Sequence, residues 1–211
     1  MRSGSASRPS SRAGTTRAAL VEAAIDVLGH EGFAASTSRG ISARAGCPQG
    51  LIFYHFGSVV NLLLAALDEV SARRRLRYDE ALAEVSSPSQ LVDLAVRVFA
   101  EDLDSGDASV LVEMVAGAAS TPGLAAEVKA RMMPWADFAR SAFDHVLGGS
   151  PIGQMVGLDE ASHAVVALYL GLELLSHLDG DRAPALALFE RGRGLALLLE
   201  AMGAPSGARQ P

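Results

Sequence analysis

Gln49 carries the donor and acceptor that can grip an adenine edge bidentately, Arg39 can reach guanine or phosphate, and Tyr54 and His55 can donate to phosphate oxygens. These residues fall within Ser36–Leu64, whose remaining side chains prescribe two short helices, a tight turn and the start of a longer helix. Ser36 or Thr37 can cap the first helix, and Ile41 and Ala45, four residues apart, share a buried face. Gly46 tolerates the left-handed conformation of a C-terminal cap, and Pro48 suits the first position of a new helix. In that second helix Ile52 and Phe56 turn inward, leaving Gln49, Gly50, Leu51, Phe53 and Tyr54 on or beside the face that would enter a major groove. The spacing is that of a helix–turn–helix.

Ile41, Gly46, Pro48–Gly50, Phe56 and Ser58 make this segment resemble the DNA-binding part of TetR-type one-component transcriptional regulators. The family pattern is roughly T-x-x-x-I-A-x-x-A-G-V-S-x-G-x-L-Y-x-H/Y-F-x-S/T-K-x-x-L. Thr37, Ile41, Ala45, Gly46, Gly50, Phe56, Ser58 and Leu62 occupy its positions, with conservative changes at Cys47, Ile52 and Phe53, over about a quarter of the chain. The resemblance implies DNA contacts from Thr37, Ser38, Arg39, Pro48, Gln49, Gly50, Leu51, Phe53, Tyr54 and His55. Two positions depart from it. Val59 stands where the family usually has a phosphate-contacting lysine, and Gly40 should weaken its helix by roughly 1 kcal/mol relative to alanine.

Positioning these residues requires a larger framework, and composition sets its class. The 211 residues are 49% hydrophobic, rich in Ala and Leu and poor in alternating β-branched runs, so the expected fold is all-α. The expected architecture is an N-terminal three-helix helix–turn–helix domain joined by a long helix to a C-terminal helical ligand-binding and dimerisation bundle. Its bounds are a disordered basic arm over 1–14, the DNA-binding domain over 15–57, the regulatory domain over 58–203 and a disordered tail over 204–211. The net charge of −6 is uneven: six arginines and three acids up to Gly57 give +3, the remainder −9. A basic head on an acidic body suits a module that meets phosphate.

Thr15 or Thr16 should cap a first helix whose stripe is Leu20, Ala24, Val27 and Leu28, ending near Gly32. Ser58 begins a lever that runs to about Val85, its Arg73-Arg74-Arg75-x-Arg77 run reading as a solvated or salt-bridged face. Further helices are expected at about 89–104, 108–120, 123–147, 158–178 and 183–202, with Pro134 kinking the third of these.

Met132, Trp135, Phe138 and His145, joined by Phe99, Glu113 and Met114 from the two preceding helices, are the candidate ligand-binding residues, Glu113 or His145 orienting a largely apolar small molecule. Wide apolar stripes through Val165, Leu168, Leu172 and Leu175 and through Leu188, Leu195, Leu198 and Leu199 should pair with their copies in a homodimer, as the resemblance also implies. No cofactor, metal site or membrane span is expected. The five histidines lack ligand spacing, Cys47 has no partner cysteine, no nucleophile elbow occurs, and the apolar run near Ala161–Leu172 is too short and fits a buried helix. A cytoplasmic, ligand-released repressor acting on a palindromic operator follows. The alternatives are a ligand-independent DNA-binding protein, or a helical interaction module or enzyme that keeps only the fold.

Overall fold

The computed structural model describes residues 9–148, 153 and 157–203; all secondary structure among them is helical. The nine helices bounded among the described residues are α1 (Pro9–Glu31), α2 (Ser38–Ala45), α3 (Gly50–Phe56), α4 (Val59–Leu82), α5 (Pro88–Ser105), α6 (Asp107–Ala118), α7 (Leu124–Leu147), α8 (Leu158–Asp179) and α9 (Ala183–Gly203). The fold is therefore all-α, with a helix–turn–helix near its N-terminus.

The helices divide into two compact units, and the division does not fall at Gly57. One unit is the chain up to Arg73 together with Ser109–Val128; the other is Arg74–Ala108 with the chain from Lys129 onward. The first half of the lever and most of α6 thus pack with the helix–turn–helix, because both supply apolar residues that complete its core.

In the N-terminal unit the core gathers Leu20, Ala24 and Leu28 of α1, Ile41 of α2, Ile52 of α3, Leu62 and Leu63 of α4 and Met114 of α6, all nearly or fully buried. Helix α1 starts at Pro9, so the expected arm is helical from that residue and Thr15 and Thr16 lie inside the helix; proline is compatible with a first helical position. The rest of the arm, 1–8, and the expected tail, 204–211, lie outside the described residues. Phe33 N–H donates to Glu113 Oε2 over 2.8 Å, and a Cβ added at Gly117 would stand 2.3 Å from the Phe33 ring, so α6 can approach this loop only with glycine there. Gly40 is less demanding: a Cβ on it would meet the Ala35 carbonyl oxygen at 3.0 Å, a tight contact that a small shift would relieve, so glycine there eases a close turn.

In the C-terminal unit, α5 packs on α8 and α9, and Ser87 caps α5 by accepting the Gln90 N–H. Tyr78, Val85, Leu94 and Val98 form its buried centre, with Trp135, Phe138 and Tyr169 packed around them. Helix α7 runs through Pro134 from Leu124 to Leu147. Helix α8 departs from expectation. The apolar run continues past Leu172 to Leu178, so α8 is long and apolar enough to cross a membrane by length and composition alone, and it is not a buried helix: most of its apolar stretch is open to solvent in the single chain. Leu168, Leu174, Leu175 and Leu178 are exposed in the single chain.

Candidate nucleic-acid interface and cavity

The helix–turn–helix is built by local hydrogen bonds that its sequence supplies. Thr37 Oγ1 accepts the Gly40 N–H at 3.1 Å, capping α2. Gly46 ends it at φ 64°, its N–H reaching Ala43 O at 3.3 Å while Cys47 N–H reaches Ser42 O at 3.0 Å. Arg44 on α2 pairs with Asp26 and Glu31 of α1, locking the two helices together. Pro48 is not the first residue of α3. It precedes the helix, and its carbonyl accepts Leu51 N–H at 3.1 Å, so Gln49 is the cap and Gly50 the first helical residue. Ser58 Oγ accepts the Asn61 N–H, starting α4, and Asn61 Nδ2 donates to Phe56 O at 2.9 Å, fixing the corner between α3 and α4.

This framework sorts the candidate contacts. Ile52 is fully buried and Phe56 is half-buried, with the Arg17 guanidinium 5.0 Å from its ring centroid. On the other side Gln49, Gly50, Phe53 and Tyr54 are exposed, Tyr54 to 79%, as are Thr37, Arg39 and Pro48. Ser38, Leu51 and His55 are half-buried, and so is Val59. The Thr37 hydroxyl is engaged as a cap, which leaves Arg39, Gln49 and Tyr54 as the polar groups most open to a partner.

The C-terminal unit contains a cavity of about 160 Å³ whose lining is almost entirely apolar. Met132, Trp135 and Phe138 line it, as do Ala142 and Phe143. The other expected lining residues do not. Phe99 is buried against the rings of Tyr169 and Phe189; His145 Nε2 donates to Val85 O at 2.8 Å; Glu113 and Met114 belong to the N-terminal unit, where Glu113 is held by Phe33 N–H. Helical periodicity put them on plausible faces, but which neighbour covers a face is a tertiary property.

The cavity's polar end comes from residues that periodicity did not select: Arg74, Tyr78 and Tyr169. Arg74 Nη2 donates to Asp102 Oδ2 at 2.5 Å and to Glu173 Oε1 at 2.7 Å, and its Nε donates to Tyr78 Oη at 3.1 Å. Both tyrosine hydroxyls donate to Asp102 Oδ2, Tyr169 from 2.8 Å. Asp102 is wholly buried and Glu173 is 1% exposed, and among the described residues Glu173 Oε2 has no hydrogen-bond partner. Burial pushes the Glu173 carboxyl up to about 7, although Arg74 opposes the rise. Burial likewise raises the hydroxyls of Tyr78 and Tyr169, so both keep their protons. Arg74 stays charged: its acidic neighbours, Glu173 foremost, outweigh a desolvation that alone would lower it.

The arginine run is therefore divided. Arg73 pairs with Glu22 and Glu69, Arg75 with Asp79, and Arg77 with Asp107 at 3.1 Å, as a salt-bridged face should, whereas Arg74 is interior. The i, i+4 spacing of Arg74 and Tyr78 was the available signal, and it does not by itself distinguish burial from exposure.

The expected dimer stripes lie largely in solvent in the single chain. Leu168, Leu175, Leu188, Leu195 and Leu198 are exposed, Leu195 to 64%, and Leu172 and Leu199 are half-buried. Val165 is exposed and also lines the cavity. Leu174, Leu178 and Leu197 add apolar surface that the stripes did not include.

Residues 20–66 match the family model for bacterial regulatory proteins of the tetR family. Over 90 residues the chain is 37% identical to an HTH-type transcriptional repressor of Mycobacterium tuberculosis, covering 42% of this chain and 47% of that protein. It is 28% identical to the HTH-type transcriptional regulator CymR of Pseudomonas putida, covering 54% and 56% respectively. The chain thus spans about half the length of the curated relatives it matches. Similarity of fold extends further. A TetR-family regulator from Rhodococcus sp. superposes with a TM-score of 0.72 at 18% identity, over 86% of this chain and 98% of that one. The transcriptional regulator FadR of Bacillus subtilis, solved in complex with stearoyl-CoA, gives 0.67 at 15% identity over 85% and 96%. The motif, the helix–turn–helix geometry and the family match agree that residues 20–66 are a DNA-binding region of the tetR type, and the chain as a whole shares the fold of TetR-family regulators.

Proposed function

We propose that this protein is a cytoplasmic transcriptional regulator, a repressor, that binds a palindromic DNA operator as a homodimer and is released by a small, largely apolar molecule. The observation that carries the DNA half is the face of α3, where Gln49, Phe53 and Tyr54 stand exposed on a helix anchored from behind by Ile52. A two-fold operator needs two such helices, and the exposed leucines of α8 and α9 support pairing through those helices. The effector half is supported by the apolar cavity in the other unit. No step of this function calls for catalysis.

For induction the effector must favour the DNA-incompetent state, since equal affinity for both states would shift nothing; a ~100-fold preference corresponds to a coupling of about 2.7 kcal/mol. The test is fluorescence anisotropy of labelled duplexes drawn from the DNA flanking the protein's own gene, with purified full chain. Saturable binding to one palindromic duplex at a stoichiometry of two chains per site supports the reading. Equal, weak affinity for every duplex would overturn it.

A further inference from the structure

From Ala45 to Ala72 the sequence contains no lysine or arginine, so α3 and the corner into α4 have no permanent cation of their own. A face that meets DNA draws much of its affinity from cations set against phosphates. For this face the cation has to come from a neighbouring element.

Among the described side chains of the N-terminal unit the candidates are Arg17, Arg39, Arg44 and Arg73. Arg44 is held by Asp26 and Glu31, and Arg73 by Glu22 and Glu69. These pairs engage every acid of α1, Glu22, Asp26 and Glu31. Arg17 lies on that same helix and makes no ion pair among the described residues, nor does Arg39 on α2.

Of the two, Arg17 stands against α3. It is exposed, and its guanidinium carbon is 5.0 Å from the ring centroid of Phe56, the last residue of that helix. A ring face attracts a guanidinium and fixes its plane without consuming any of its N–H donors. The ring is itself held at the corner: Asn61 Nδ2 donates to the Phe56 carbonyl at 2.9 Å, and the His55 ring packs edge-on at 6.3 Å between centroids. Arg17 is thus an unpaired, positioned cation at the end of α3, where Phe56 to Asn61 offer a phosphate only uncharged groups.

We infer that Arg17, held on the Phe56 ring, is a phosphate anchor for α3, supplying from α1 the positive charge that α3 and its corner lack. The assignment rests on the reading of this face as DNA-binding. It adds to the contacts expected from sequence, which run from Thr37 to His55, because only the tertiary structure brings Arg17 to this ring.

The test measures duplex binding by the full-length chain across a salt series, with the melting temperature of each variant recorded alongside. A phosphate contact is blind to base sequence, so Arg17→Gln should weaken binding to operator and unrelated duplexes by the same factor and make the dependence of log affinity on log salt shallower by about one unit per chain. Arg17→Lys, which keeps the charge, should hold the wild-type slope. Val59→Lys introduced into Arg17→Gln should restore the lost unit, since it returns a cation to the same corner. An Arg17→Gln chain with the wild-type slope would overturn the anchor while leaving the DNA reading intact. So would a fall in melting temperature with the slope unchanged, which would make Arg17 a packing residue. If the wild-type chain binds no duplex at all, the DNA reading fails and the anchor falls with it.

Discussion

Arg74 Nη2 stands 2.7 Å from Glu173 Oε1, and both side chains are nearly sealed from solvent, so a charged pair links α4 to α8 inside the C-terminal unit. Its neighbour Arg73 instead pairs with Glu22 in the N-terminal unit. Removing one partner of a buried pair leaves the other uncompensated. Arg74→Met should therefore destabilise the C-terminal unit by about 3–5 kcal/mol, read as a lowered urea midpoint, whereas Arg73→Met at the surface should change it by less than about 1 kcal/mol. Equal effects from the two substitutions would contradict the burial of Arg74.

Stability should depend on pH through Glu173. Its folded pKa, about 7, lies above the ordinary carboxyl value of 4.5, chiefly because of burial. The folded state therefore holds the proton more tightly than the unfolded chain, and the contribution is fully present below pH 4.5 and lost as pH rises towards 7. Between these limits the melting temperature of the wild type should fall relative to that of Glu173→Gln. Parallel profiles would place the titration elsewhere.

On the DNA side, Gln49 is exposed at the head of α3. Gln49→Ala should relax specificity at one base pair per half-site, costing roughly 1–3 kcal/mol there, and leave non-specific affinity nearly unchanged. Competition between operator duplexes differing at single positions measures this directly.

Val59 opens α4 and is half-buried, which leaves a lysine at that position room to extend its ammonium into solvent. Val59→Lys should tighten binding to all duplexes and steepen the dependence of log affinity on log salt by about one unit per chain. A drop in melting temperature with no change in salt slope would mean that the valine packs inward instead.

Leu168 on α8 and Leu195 on α9 are exposed in the single chain. Either changed to Arg should convert a dimer to monomers in sedimentation velocity, with the helical circular dichroism retained. An intact dimer in both variants would move the interface off these two helices.

Sequence alone determined the helix–turn–helix, since a threonine cap, a left-handed Gly46 and the spacing of Ile41 and Ile52 are local features written within a few residues of each other. It also determined the all-α class, because Ala- and Leu-rich helical periodicity needs no knowledge of neighbours. The C-terminal unit was legible as helices but not as a site. Periodicity names the apolar face of a helix and is silent on what covers it. Trp135 and Phe138 on α7 therefore emerged from sequence, while Phe99 and His145, equally well spaced, turn to other partners. Which arginine of the run at 73–77 enters the interior was likewise decided by tertiary structure. Burying Arg74 is tolerable only where Asp102 and Glu173, 28 and 99 residues further along, come within hydrogen-bond distance of one guanidinium.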